Sequence, residues 1–150
     1  MTQLVKNERS PYTDVVKITA ADLIAIGNGG TRVIASIPAG GAVELCTVTN
    51  TVDIVGSSSL VIDVGTTIGD PDEFINALDV DAATVGLPTI NTGDTFTAGT
   101  ATSATGLTQA VKIVSAATPV YIKVTDAAVA SITAGEIMIG FRILDLTKFA

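Results

Sequence analysis

The sequence predicts an all-β protein, an antiparallel β-sandwich with one short helix near residues 71–78. Two observations predict it. Thr, Val and Ile together supply 55 of the 150 residues, and their branched Cβ atoms suit a pleated surface and crowd a helix. Apolar residues also recur with a period of two over several segments broken by Gly, Ser and Asn, and no amphipathic pattern of helical length interrupts them.

The elements follow in order. Residues 1–14 are polar, of mixed charge, and read as an extended N-terminal arm; residues 15–150 read as a single domain, long enough to bury a core. Val16 and Ile18 point one way and Lys17 the other. Val33, Ala35 and Ile37 form the next inward row, and Pro38-Ala39-Gly40-Gly41 a turn. The long segment from Val43 changes phase at Val48 and Val52, which calls for either a bulge or cover on both faces. Gly56 to Ser59 turns the chain into Leu60, Ile62 and Val64. Later rows are Val111 and Ile113; Val120, Ile122 and Val124; and Ile137, Ile139, Phe141 and Ile143. Asp70-Pro71-Asp72-Glu73 has the spacing of a helix cap, with Pro at the first helical position and Glu73 reaching back. Phe74, Ala77 and Leu78 would then share one face. Thr19 to Asp22 has a similar start and fits a single turn or an irregular strand, stopped by Gly27. The stretch 91–108 is a long loop, or a loop with a flat edge strand.

Charge and composition exclude several functions. The formal net charge is −7, and the span between Arg32 and Lys112 holds nine acidic residues and no Lys or Arg. That stretch repels a phosphate backbone and an anionic membrane surface, so neither nucleic acid nor membrane is expected as a partner. No apolar run approaches the ~18 residues of a membrane helix. The N-terminal residues lack the apolar core of a signal peptide. The single Cys46 cannot form an intrachain disulfide and lies in an apolar alternating segment, as a buried structural thiol does. A reducing cytoplasm is the expected site of folding.

The chemistry on offer is thin. There is no His, hence no Ser–His or Cys–His pair. Gly27-Asn28-Gly29-Gly30 lacks a following helix with a phosphate-binding Lys and reads as a turn. The densest constellation is acidic: Asp63, Asp70, Asp72, Glu73, Asp79 and Asp81. Calcium takes roughly six to eight oxygen ligands, and Asp70, Asp72, Asp79 and Asp81 are the residues that would supply them, although their spacing is not that of an EF-hand loop. A hydrolase would draw on Asp63, Asp70 or Asp79, but sugar sites usually add aromatic platforms, and there is no Trp. The expectation is therefore no catalysis, no cofactor and no resident metal. Mean hydropathy is positive, and the last strand carries apolar side chains on both faces. One face forms the core and the other must be covered by a second copy, another protein or a local loop, of which contact between subunits is the expectation. Leu4, Val5 and Tyr12 in the arm, and Met138, Leu144 and Leu146 near the end, are the side chains expected at such contacts.

The succession of features has a counterpart. Ile18-Thr-Ala-Ala-Asp-Leu23 is followed by Ile37-Pro-Ala-Gly-Gly-Ala-Val43, then by Leu60-Val-Ile-Asp-Val-Gly65 and Gly69-Asp-Pro-Asp-Glu-Phe-Ile-Asn-Ala77. Val120-Tyr-Ile-Lys-Val124 and Ala134-Gly-Glu-Ile-Met-Ile-Gly-Phe-Arg142 close the chain. Over residues 15–146 this resembles small virion proteins of tailed bacteriophages, of the capsid decoration (cement) and head-fibre kind. The resemblance implies a jelly-roll-like sandwich, a homotrimer on the outer capsid surface assembled in the host cytoplasm, and the major capsid protein as partner. It carries over no binding residue, because these proteins share no sharp motif. A second reading is a head-fibre or tail module that recognises a host-surface glycan through the 91–108 loop.

Overall fold

The structure, a computed structural model, describes residues 12–97 and 112–149. It is built from strands β1 (Asp14–Thr19), β2 (Thr31–Ile37), β3 (Gly41–Val55), β4 (Val61–Gly65), β5 (Ile75–Asp79), β6 (Thr89–Ile90), β7 (Lys112–Ile113), β8 (Thr118–Thr125) and β9 (Ala134–Asp145). One helix, α1 (Ala20–Ile26), follows β1, and single helical turns occur at Asp94–Thr97, Val129–Ser131 and Leu146–Phe149. Two antiparallel sheets result. Sheet A has the order β1-β9-β3-β6, with β7 also pairing β3; sheet B has the order β2-β8-β4-β5.

The core lies between the sheets, and the two-residue alternation builds it. Ile137, Ile139 and Phe141 of β9 meet Ile18 of β1 and Cys46 and Val48 of β3 on the inner face of sheet A. Ile62 and Val64 of β4 and Val120, Ile122 and Val124 of β8 supply the inner face of sheet B, all fully buried in the same cluster. Each buried Ile or Leu contributes about 1.5–3 kcal/mol relative to an exposed one. The all-β sandwich is thus what the composition and alternation predicted.

The phase change in β3 comes from bulges. Its register with β9 shifts between Val43 and Leu45, between Asn50 and Val52, and between Val52 and Val55. At the first shift, β3 has no strand neighbour among the described residues between its short pairings with β7 and β6. Asn91 fills that gap: its Oδ1 accepts from Cys46 N at 2.7 Å, its Nδ2 donates to Glu44 O at 3.3 Å, and its own N–H donates to Cys46 O at 3.0 Å. Asn91 adopts a left-handed φ of 49° to do so, a region that Asn tolerates better than most residues.

Several expectations are corrected. The short helix is not near 71–78; residues 75–79 are strand β5, hydrogen-bonded to β4. Glu73 does not cap its own segment. It is buried, and its carboxylate accepts from Thr66 N and Oγ1 and from Thr67 Oγ1 at 2.7–2.8 Å, fastening the loop after β4. Phe74 and Ile75 are fully buried, whereas Ala77 is exposed with φ 47° and donates its N–H to Asp63 Oδ1. The helix is instead α1, where Thr19 and Asp22 form the reciprocal capping box and Gly27 ends the helix at φ 79°. In β2, a register shift between Val33 and Ala35 turns Val33 outward, to 55% exposure, and lets Ile34 and Ala35 pack against the core. Ile113 likewise faces out, because β7 is only two residues long and pairs with Ala42 on the outer side of β3.

Candidate interaction surface

The acidic residues are dispersed into structural roles. Asp79 Oδ1 accepts from Asp81 N and Ala82 N, and Asp81 accepts from Ser57 Oγ and from Leu60 N. Asp63 holds Ala77 N, while Asp70 is exposed and 3.8 Å from Lys123 Nζ. Asp72 is pushed above the usual carboxylate range by partial burial and by the neighbouring Asp94 charge. Among the described residues, no group of three or more acids, Cys or His could hold a metal ion. The structure thus does not bring Asp70, Asp72, Asp79 and Asp81 together as a calcium site. Asp126, also buried, is spent on Ser58 and Ala128.

The remaining features are equally quiet. Cys46 is fully buried, and burial drives its thiol far above the ordinary range, so it is no nucleophile. A shallow groove of about 360 Å³ lies between Ala25, Ile26, Thr31 and Arg32. Arg32, the charged group among its described lining residues, is already bound to Asp22 at 2.7 Å. No helix among the described residues is long and apolar enough to cross a membrane.

The outer face of sheet A is different. Strand register places its side chains in cross-strand rows. One row runs Lys17, Met138, Thr49; the next runs Val15, Gly140, Thr47, Ile90; another joins Arg142 to Leu45; and a fourth runs Leu144, Ala42, Ile113. Val15, Ile90 and Ile113 are 48%, 50% and 60% exposed. The charges on this face are closed upon themselves: Lys17 Nζ lies 3.0 Å from Glu136 Oε2, and Arg142 Nε lies 3.0 Å from Glu44 Oε2. Thr51 Oγ1 adds a hydrogen bond to Glu136 Oε1, and together these contacts hold Glu136 below the usual carboxylate range. Lys17 and Arg142 are thus paired off, Asp53 stands exposed on β3, and the middle of the face, at Ala42, Thr47 and Gly140, is buried, so the exposed apolar side chains Val15, Ile90 and Ile113 lie toward its edges.

No protein-family model, curated protein or solved structure matches this chain. The site therefore rests on its own geometry.

Of the contact residues expected from sequence, Met138 and Leu144 stand on this outer face, half-buried. Leu146 follows in the last helical turn, also half-buried, its N–H bonded to Gly40 O. Tyr12 lies across the same sheet, with its ring over Gly140: a Cβ added at Gly140 would sit 2.7 Å from the Tyr12 ring carbons. Leu4 and Val5 lie outside the described residues. Val15, Leu45, Ile90 and Ile113 were missed. The alternation of Val15 with Val16 signalled its outward direction, but the positions of Ile90 and Ile113 depend on pairings between distant short strands. The outer face of sheet B is more polar, with Val33, Tyr121, Lys123, Asp63, Val61 and Asp79 in its rows.

Proposed function

We propose that this chain is a structural protein of a tailed-phage virion that decorates and stabilises the capsid through protein–protein contacts as a homo-oligomer. The observation that carries this reading is the outer face of sheet A, where Val15, Ile90 and Ile113 stand about half exposed and Lys17 and Arg142 are paired with Glu136 and Glu44; exposed apolar side chains of this kind accompany contact with another protein. Support also comes from the acids, which are spent on loop and turn geometry rather than converging on a cleft. The order of segments resembling decoration and head-fibre proteins gives the reading its particle, its trimeric form and its outer-capsid location. The major capsid protein is the partner it implies; nucleic acid and membrane play no part.

The test is co-sedimentation of the purified chain with capsids of the virus that encodes it, followed by imaging of the decorated particle. Density at regular sites on the outer surface is the expected result. Binding to host cells with no binding to capsids would overturn it. Removing residues 1–12 is expected to lower capsid occupancy; unchanged occupancy would dispose of the arm as a tether.

A further inference from the structure

We propose that Asn28 is a modification site, a centre of spontaneous deamidation that the fold holds shut and whose reaction unlatches one end of the sandwich. The capsid role does not depend on it, and its failure would leave that role untouched.

The chemistry begins in the sequence. Of the five asparagines in the chain, Asn28 alone precedes a glycine. Gly29 N, giving up its proton, can bond to Asn28 Cγ; the Cγ–Nδ2 bond breaks and ammonia leaves. A cyclic succinimide results, and water opens it at either carbonyl. Opening at Cγ gives aspartate. Opening at the main-chain carbonyl gives isoaspartate, in which the chain runs on through the side chain. Glycine favours the attack because no Cβ shields its nitrogen. At Gly29, with φ 72°, nothing lies within 4 Å of where a Cβ would stand. Both residues are exposed, so water reaches them.

The folded turn withholds the attack. Gly29 N donates to Val124 O at 2.7 Å, and Val124 N donates to Gly30 O at 3.1 Å. Asn28 Oδ1 accepts from Asp126 N at 3.0 Å. The proton that must leave Gly29 N is thus held by β8, and the amide that must be attacked is pinned to the residue just past the end of β8. Reaction waits on the opening of this latch, because the attacking nitrogen and the amide must first be free to align.

The same contacts make the product disruptive. Asp126 is buried, and its carboxylate accepts from Ser58 Oγ at 2.5 Å, from Ser58 N at 3.2 Å and from Ala128 N at 2.9 Å. Through Asp126 the latch joins the turn between α1 and β2, the end of β8 and the turn between β3 and β4. Deamidation sets a second carboxylate beside this one, and like charges at short range oppose each other. Isoaspartate also lengthens the backbone of a turn whose Gly29 and Gly30 are held in register with Val124.

The experiment incubates the full chain at mildly alkaline pH, native in one arm and in concentrated urea in the other, and digests samples with trypsin. Cleavage after Lys17 and Arg32 releases residues 18–32, which hold Asn28 and no other asparagine. Mass spectrometry reads the conversion, and chromatography separates the aspartate and isoaspartate forms. The native chain is expected to deamidate on the order of 100-fold more slowly than the unfolded one, as local opening dictates. Equal rates overturn the latch, and an unfolded chain with no conversion at Asn28 overturns the site. Ser58→Ala, which takes partners from Asp126, is expected to speed the native reaction severalfold. An unchanged rate in a Ser58→Ala protein with native circular dichroism overturns the link through Asp126; the two wild-type arms stand whether or not that variant folds. Protein aged to isoaspartate is expected to melt below Asn28→Asp, which carries the new charge on an ordinary backbone, and Asn28→Asp below wild type. Equal melting of all three overturns the unlatching.

Discussion

Asn91 acts as a one-residue strand, and its loss has a definite cost. Replacing it with Ala leaves the N–H of fully buried Cys46 and the carbonyl of Glu44 without the side-chain partner each now has. An unsatisfied buried donor costs about 1–3 kcal/mol. Asn91→Ala should therefore lower stability by that amount in a urea titration, with no change in the urea slope. Gly140 makes the opposite point, since here the side chain is excluded. A Cβ would meet the Tyr12 ring at 2.7 Å and Thr47 Oγ1 at 3.0 Å, so Gly140→Ala should displace Tyr12 and cost about 1–3 kcal/mol, as overpacking usually does. In the Tyr12→Ala background much of that cost should vanish, which a double-mutant cycle would read directly.

At the level of elements, α1 is held at its start by a carboxylate that titrates within an accessible range. Asp22 accepts from Thr19 and from Arg32, and the Arg32 hydrogen bond, followed by those from Thr19, lowers its pKa to about 2. A depressed carboxylate contributes stability that is fully present above its unfolded pKa and is lost as the pH falls through the folded one. Because Arg32 is half exposed, solvent screening keeps the contribution to about 1 kcal/mol. Asp22→Asn should thus be less stable than wild type at pH 7, and the gap should close between pH 4 and pH 2 when melting curves are compared. The same cap was legible in the sequence as Thr-x-x-Asp, and so were the inward rows of β1, β4, β8 and β9. The Asp-Pro-Asp-Glu cap was a false reading for a physical reason: Glu73 is claimed by Thr66 and Thr67, seven and six residues upstream, a competition that local spacing does not encode. The direction of Val33 was hidden by the register shift after it, since a bulge changes the phase of a strand without changing its composition. Met138 and Leu144 were legible as outer-face residues from alternation alone, whereas the row from Val15 to Ile90 needed the order of the strands.

For the whole molecule, the single thiol offers a reporter. Cys46 sits in the common core of both sheets, and its ionisation is suppressed by burial. Thiol reagents should leave it unmodified in the native state and label it at the rate of global opening, so labelling and urea unfolding should report the same free energy. Fast labelling of the native protein would contradict the packing described here. A last consequence follows from β9. This strand pairs with β1 on one side and β3 on the other, so Ile18 lies opposite Ile137 and Asn50 opposite the same residue. As the nascent chain leaves the ribosome, β1 and β3 (ending at Thr19 and Val55) emerge long before the strand that joins them, which begins at Ala134. Their apolar rows must wait through most of synthesis, which makes the unfinished polypeptide a client for chaperones and makes the arrival of the final segment the moment at which the sandwich can close.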